Sequence, residues 1–170
     1  MVRVAFWLAF SVVTAVTTMP AFAAWTARPI DDGHGHAYFL ASSTAADKTR
    51  AELFCNAEGV VNFALIWPDR QHPDAADRDE PATMSIVTDA GDAFEAKSYY
   101  WASGKGVLIL DFGYPPQIRD LAAALGAARA EITVTVTDAA RGIDRIAVFD
   151  AEGVAGASAA FLDWCPQPAD

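Results

Sequence analysis

Residues 131–137 read "EITVTVT", an alternation of polar and apolar side chains without a fault. An extended backbone sends successive side chains to opposite faces. Ile132, Val134 and Val136 therefore share one side, and Thr133, Thr135 and Thr137 the other. Such a segment buries one face and wets the other, which is the requirement of a half-buried strand. The same period recurs. "AELFC" (51–55) aligns Ala51, Leu53 and Cys55, and "VVNFALIW" (60–67) aligns Val61, Phe63, Leu65 and Trp67. Further strands are predicted at 36–42, 82–88, 94–101, 106–112 and 143–149. The turn signals "NAEG", "DAGD", "SGKG" and "AARG" separate the runs, and the last three read as hairpin connections.

Two segments break the period of two. "PPQIRDLAAALGAA" (115–128) opens on prolines, which suit a first helical turn, and aligns Ile118, Leu121, Ala122 and Leu125 in one stripe. "VAGASAAFLDWC" (154–165) places Phe161, Leu162 and Cys165 on one broad face and Asp163 outside it. The expected fold is mainly β: an antiparallel, sandwich-like domain with two short helices. It occupies 24–170 as a single domain.

Residues 1–23 are read as a leader removed on export. Arg3 gives a positive start, "VAFWLAFSVVTAV" an apolar core, and Ala21-Phe22-Ala23 a small-x-small end. The rival reading is a retained membrane anchor, for which the uncharged stretch is long enough. No cysteine stands near the cleavage point, so lipid attachment there has no support. No later apolar run reaches the roughly 18 residues that a span requires. The formal net charge is −10, and removal of Arg3 with the leader takes it to −11. So acidic a chain repels nucleic-acid phosphates and anionic lipid surfaces. Nucleic acid is excluded as an expected partner. The expected location is periplasmic or secreted.

Cys55 and Cys165 are the two cysteines of the chain. In an oxidising compartment an even pair reads as a disulfide; the rival is a pair of free thiols, one of them a nucleophile. The positions are 110 apart. Closing so long a loop contributes about 4–5 kcal/mol on a chain-entropy account. The bond would tie the last helix to the strand that carries Cys55.

The stretch "DDGHGHAYFLA" (31–41) holds two of the three histidines. On an extended backbone His34, His36 and Tyr38 point to one side. Two imidazoles with Asp32, or with Asp31, approach a zinc or copper ligand set, but such a site needs three or four oriented ligands. Gly33 and Gly35 work against that orientation. We read the stretch as the polar lead-in to a strand whose Ala37, Phe39 and Ala41 face the core. The metal site on His34, His36 and Asp32 is the alternative.

Other patterns carry less. "GDAFEAKS" (91–98) has Ala96 where a phosphate loop needs its second glycine. "PDRQHPDAADRDEP" (68–81) reads as an exposed, mobile loop. Its Asp74, Asp77, Asp79 and Glu80 lack the calcium-loop pattern with a central glycine, and are read as a solvated charge run. The third histidine, His72, lies in it. Neither Gly-x-Ser-x-Gly nor His-Glu-x-x-His occurs in the sequence. Trp67 is read as core. Tyr99, Tyr100 and Trp101 are candidates for a binding surface, with Tyr99 and Trp101 on a strand face opposite Tyr100.

The order of these features resembles the type VI secretion-associated periplasmic proteins of the VasI/TagO kind, and more loosely the invasion-associated locus B family. The residues that carry the resemblance are Pro29, Asp31, Asp32, Cys55, Trp67, Phe149, Asp150, Gly153 and Cys165. It implies a Pro-x-Asp-Asp lead-in, a cysteine strand before a tryptophan strand, and a Phe-Asp-x-x-Gly segment before a final helix with cysteine. The expected function is a non-catalytic exported protein that binds another protein or a cell-envelope component and needs no cofactor. The alternative is a small exported hydrolase or metal-dependent enzyme using the His34/His36 region.

If His34 and His36 are lead-in residues, replacing both by Gln shifts stability by no more than about 0.5 kcal/mol, as surface changes do. Micromolar zinc then leaves the melting temperature where it is. A rise of several degrees, abolished by the double replacement, would install the metal site instead.

Overall fold

The computed structural model describes residues 23–31, 37–58, 60–77, 79–104, 106–112 and 117–165. Residues 1–22 of the expected leader (1–23) and the candidate metal ligands Asp32, His34 and His36 lie outside the described residues, and Ala23 opens the first strand.

Among the described residues nine strands form one antiparallel sheet: β1 (Ala23–Asp31), β2 (Ala37–Thr44), β3 (Arg50–Asn56), β4 (Val61–Pro68), β5 (Ala82–Thr88), β6 (Ala93–Gly104), β7 (Val107–Asp111), β8 (Glu131–Asp138) and β9 (Ile143–Asp150). Their order across the sheet is β1-β2-β3-β4-β7-β6-β5-β8-β9. The long strand β6 turns this sheet into a sandwich. Its first half, Ala93–Ser98, pairs with β5. Its second half, from Tyr99 onward, pairs with β7. One strand thus serves both layers, as at the corner of a folded sheet. β1, β2, β3, β4 and β7 make one layer; β5, β8 and β9 make the other. The free ends of the sheet meet where the Trp25 amide donates to the Glu152 carbonyl at 2.8 Å. There the Trp25 and Phe149 rings lie 6.2 Å apart.

The inward sets are those of the alternation: Ala51, Leu53 and Cys55; Val61, Phe63, Leu65 and Trp67; Ile132, Val134 and Val136 are all buried. "NAEG" also joins an antiparallel pair, β3 to β4, so it is a hairpin like the other three. β1 has no counterpart among the strands expected from periodicity. Pro29 argues against a strand, but β1 is the edge of the sheet, where a missing N–H need not break a ladder.

Helix α1 (Gln117–Ala127) buries Ile118, Leu121, Ala122 and Leu125, and helix α2 (Val154–Trp164) buries Phe161. The two pack on each other so closely that a methyl group on Gly126 would stand 3.1 Å from the Ser158 Cβ. Arg119 of α1 donates to the Leu162 and Cys165 carbonyls, each at 3.1 Å, and so caps the open end of α2. Cys165 is bonded to Cys55 of β3, with 6.0 Å between the Cα atoms. Ahead of α2, the "FDAEG" segment has a role for each of its marked residues. Phe149 packs in the core, and Asp150 accepts the Glu152 amide at 2.7 Å. Gly153 takes φ 78°, and a Cβ on it would meet the Trp25 carbonyl oxygen at 2.6 Å.

The loop between β4 and β5 is more ordered than its composition implies. It contains a 3-10 turn, Ala75–Asp77, whose Ala75 is buried. Arg141, in the β8–β9 turn, donates to the Ala75 carbonyl at 3.2 Å and to the Glu80 carbonyl at 3.1 Å. The His72 ring bonds Asp69 through Nδ1 at 2.9 Å and the Arg141 carbonyl through Nε2 at 3.1 Å. The loop is therefore bolted across one end of the sandwich, opposite the helices.

Phe161→Ala should cost about 3–5 kcal/mol, as truncation of a buried ring does. Asp163→Ala should cost less than about 0.5 kcal/mol. Urea unfolding of both variants checks that α2 is docked; a neutral Phe161→Ala would mean it is not.

Candidate functional site

Strands β2, β3, β4 and β7 carry apolar residues on both faces. Their inward sets fill the core. Their outward sets would normally be polar, as the threonines of β8 are. Instead they hold Leu40, Phe54, Ile66 and Ile109. Ser42, Arg50, Glu52, Asn62 and Asp111 stand among them, so this face mixes an apolar patch with a few polar groups.

The strand register sets these side chains in rows, because directly paired residues share a face. One row runs Leu40, Phe54, Asn62. The next runs Ser42, Glu52, Ala64, Asp111, Tyr99. A third runs Thr44, Arg50, Ile66, Ile109. The middle row puts two carboxyl groups on either side of the small side chain of Ala64. Two strand spacings, roughly 10 Å, separate their Cα atoms. The result is a groove of about 620 Å³ with Ala64 as its floor. Tyr38 and Phe54, with ring centroids 5.2 Å apart, stand at one side. Trp101 stands at the rim, 70% exposed.

A bulge in β6 sets Trp101 there. Tyr100 pairs with Leu110 and Ala102 with Ile109, so Trp101 is the extra residue between them. Bulges of this kind re-aim a side chain and bend the strand.

The polar groups of the groove are few. Arg50 Nε meets Glu52 Oε1 at 2.6 Å. Burial pushes the Glu52 carboxyl above its ordinary range, and the charge and hydrogen bond of Arg50 only partly offset this. Burial likewise raises Asp111, against a smaller opposing effect of the hydrogen bond from the Asn62 amide. The Asn62 Oδ1 is itself buried, with no hydrogen-bond partner among the described residues. An apolar cleft with a handful of convergent polar groups is the usual form of a small-ligand site.

The structure divides the aromatic trio foreseen from the sequence. Tyr99 and Trp101 are exposed, at 53% and 70%. Tyr100 does not belong to that surface. It is buried, and its hydroxyl donates to Asp138 Oδ2 at 3.1 Å. Strand alternation sends it inward, where its ring meets Trp67 at 6.3 Å. Cys55 and Cys165 form the disulfide. Among the described residues no group of three or more His, Cys, Asp or Glu is placed to hold a metal ion. The groove is not foreseen by an alternation traced along one face of each strand. Its signal was the second parity: Phe54 between Leu53 and Cys55, and Ile109 between Leu108 and Leu110.

Comparisons with protein-family models, with curated proteins and with solved structures return no match. Among the described residues no helix is long and apolar enough to cross a membrane.

Raised carboxyl pKa values carry a sign for stability. The folded protein holds the Asp111 and Glu52 protons more tightly than the unfolded chain does. Their contribution is therefore most favourable below the unfolded values and declines as pH rises through the folded ones. Asp111→Asn removes one such charge and should raise the urea midpoint at pH 7, flattening the decline above about pH 4. An unchanged midpoint from there to neutral pH would show that Asp111 is not desolvated.

Proposed function

We propose that this chain is an exported, non-catalytic binding protein, and that the outer groove of β2, β3, β4 and β7 holds a compact component of the cell envelope. The observation that carries this reading is the groove itself: about 620 Å³, with Leu40, Phe54, Ile66 and Ile109 gathered around a few polar groups. That volume lies within the roughly 300–1,000 Å³ of sites that enclose small molecules. A partner protein would ordinarily cover about 800 Å² of each surface. The leader pattern at 1–23 and the bond between Cys55 and Cys165 support export to an oxidising compartment. The resemblance to type VI secretion-associated periplasmic proteins supports an accessory role there. The rival hydrolase or metal-dependent enzyme depends on the His34/His36 region, outside the described residues.

A neutral apolar fluorophore tests the groove. N-phenyl-1-naphthylamine should brighten in a saturable way on the folded wild type. Ala64→Phe, which fills the floor, should weaken that binding at least tenfold while cooperative unfolding persists. A folded wild type that gives no saturable signal, or an Ala64→Phe variant that binds as well, would remove the groove from consideration.

A further inference from the structure

The charges in the groove do not cancel. Arg50 is engaged by Glu52, at 2.6 Å. Asp111 faces the Asn62 amide, and no cation is its partner among the described residues. One guanidinium against two carboxylates leaves one negative charge, and register locates it at Asp111, beside Ala64 and across from Tyr99. Next to it the Asn62 Oδ1 is a buried acceptor without a donor among the described residues. Two acceptors thus stand together in an otherwise apolar site. A buried acceptor left unmade costs far more than its hydrogen bond returns, so a ligand that donates to both removes that cost.

We infer that the groove takes an organic cation: an ammonium or amidinium head, seated between Asp111 and the Asn62 amide oxygen, on an apolar body lying along Ile66 and Ile109 at the foot of Trp101. This rests on the groove reading above. A head of this kind supplies several N–H donors and the missing positive charge at once. The body meets the third row of the groove, where Ile66 and Ile109 are paired neighbours. The exposed indole of Trp101 offers a face to either part of the ligand. Phosphate- or carboxylate-headed amphiphiles are repelled by the same carboxylates. A bare hard metal ion is also disfavoured, because it needs about six oxygen ligands, and isoleucines, an alanine and rings stand around Asp111. The chain's net charge of −10 adds a field that draws cations in and turns anions away.

Three ligands of one length separate the possibilities: octylamine, octanol and octanoate, each displacing N-phenyl-1-naphthylamine at neutral pH and low salt, below its aggregation threshold. Octylamine is protonated there and the fluorophore is not. Octylamine should displace the probe at a concentration at least tenfold below octanol, and octanoate should be the weakest. In Asp111→Asn the octylamine-to-octanol ratio should fall to within about twofold. Asn62→Leu should narrow it as well, and octylamine should shift the Asn62 side-chain amide resonances of the wild type. Equal displacement by all three, or a ratio that survives in Asp111→Asn, would overturn the cation and leave the groove standing. A folded wild type that never binds the fluorophore would overturn the groove, and the cation with it.

Discussion

A buried ion pair holds the open end of the sandwich. The Arg141 and Asp138 side chains are each only 2% exposed, and Nη1 meets Oδ2 at 2.7 Å. Further hydrogen bonds to the members of such a pair offset the cost of burying it. Here Asp138 Oδ1 accepts Arg141's own amide at 3.1 Å, and Oδ2 accepts the Tyr100 hydroxyl at 3.1 Å as well. Burial, then the charge of Asp138, pushes that hydroxyl's pKa well above the ordinary tyrosine value. The guanidinium also lies over the Tyr100 ring, 4.8 Å from its centroid. On the far side of the Tyr100–Trp67 ring pair, Arg145 lies 5.6 Å from the Trp67 centroid. Arg145 also ties β9 to the β2–β3 turn, through Asp47 and through Thr49 Oγ1 at 2.8 Å. Two cations thus flank an edge-on pair of rings between the layers, and the β4–β5 loop hangs from the outermost.

This cluster reaches the groove through the alternation of β6 and the bulge after Tyr100. Tyr100 must point inward to meet Asp138 and Trp67. Its neighbour Tyr99 then points outward by alternation, and the bulge that follows Tyr100 turns Trp101 out beside it. The rim of the groove is fixed by a contact on the opposite face of the same strand. A substitution at Tyr100 therefore acts on both faces, although no groove ligand would touch it.

Much of this was legible in the sequence wherever one period dominated. β8 reads as a strand from Thr and Val alone, and the stripe of α1 is the stripe observed. The cysteine pair followed from count and from the compartment expected of the leader pattern. The edge strand β1 was hidden by Pro29 and by a bulge between Ala23 and Thr26, both of which blur a period of two. The order in the acidic loop was hidden because its supports come from far along the chain: Arg141 lies 66 positions from Ala75. No local pattern announces such a contact. The groove lay in a signal that favours two readings, since a strand apolar on both faces looks locally like a buried strand of any kind. Only the register, which brings Glu52, Ala64 and Asp111 into one row, distinguishes a lined site from a second core.

A site built on the back of a core strand gives β3 two tasks at once. Ala51, Leu53 and Cys55 are locked inside, the last by a covalent bond to α2. Arg50, Glu52 and Phe54 alternate with them in sequence but lie on the other side in space. The division of labour is made residue by residue, not segment by segment. The even-numbered positions of β3 make their contacts on the outer face, apart from the core packing of the odd-numbered ones. The covalent link and the groove face thus sit on one strand, back to back, with the backbone of β3 as the wall between them.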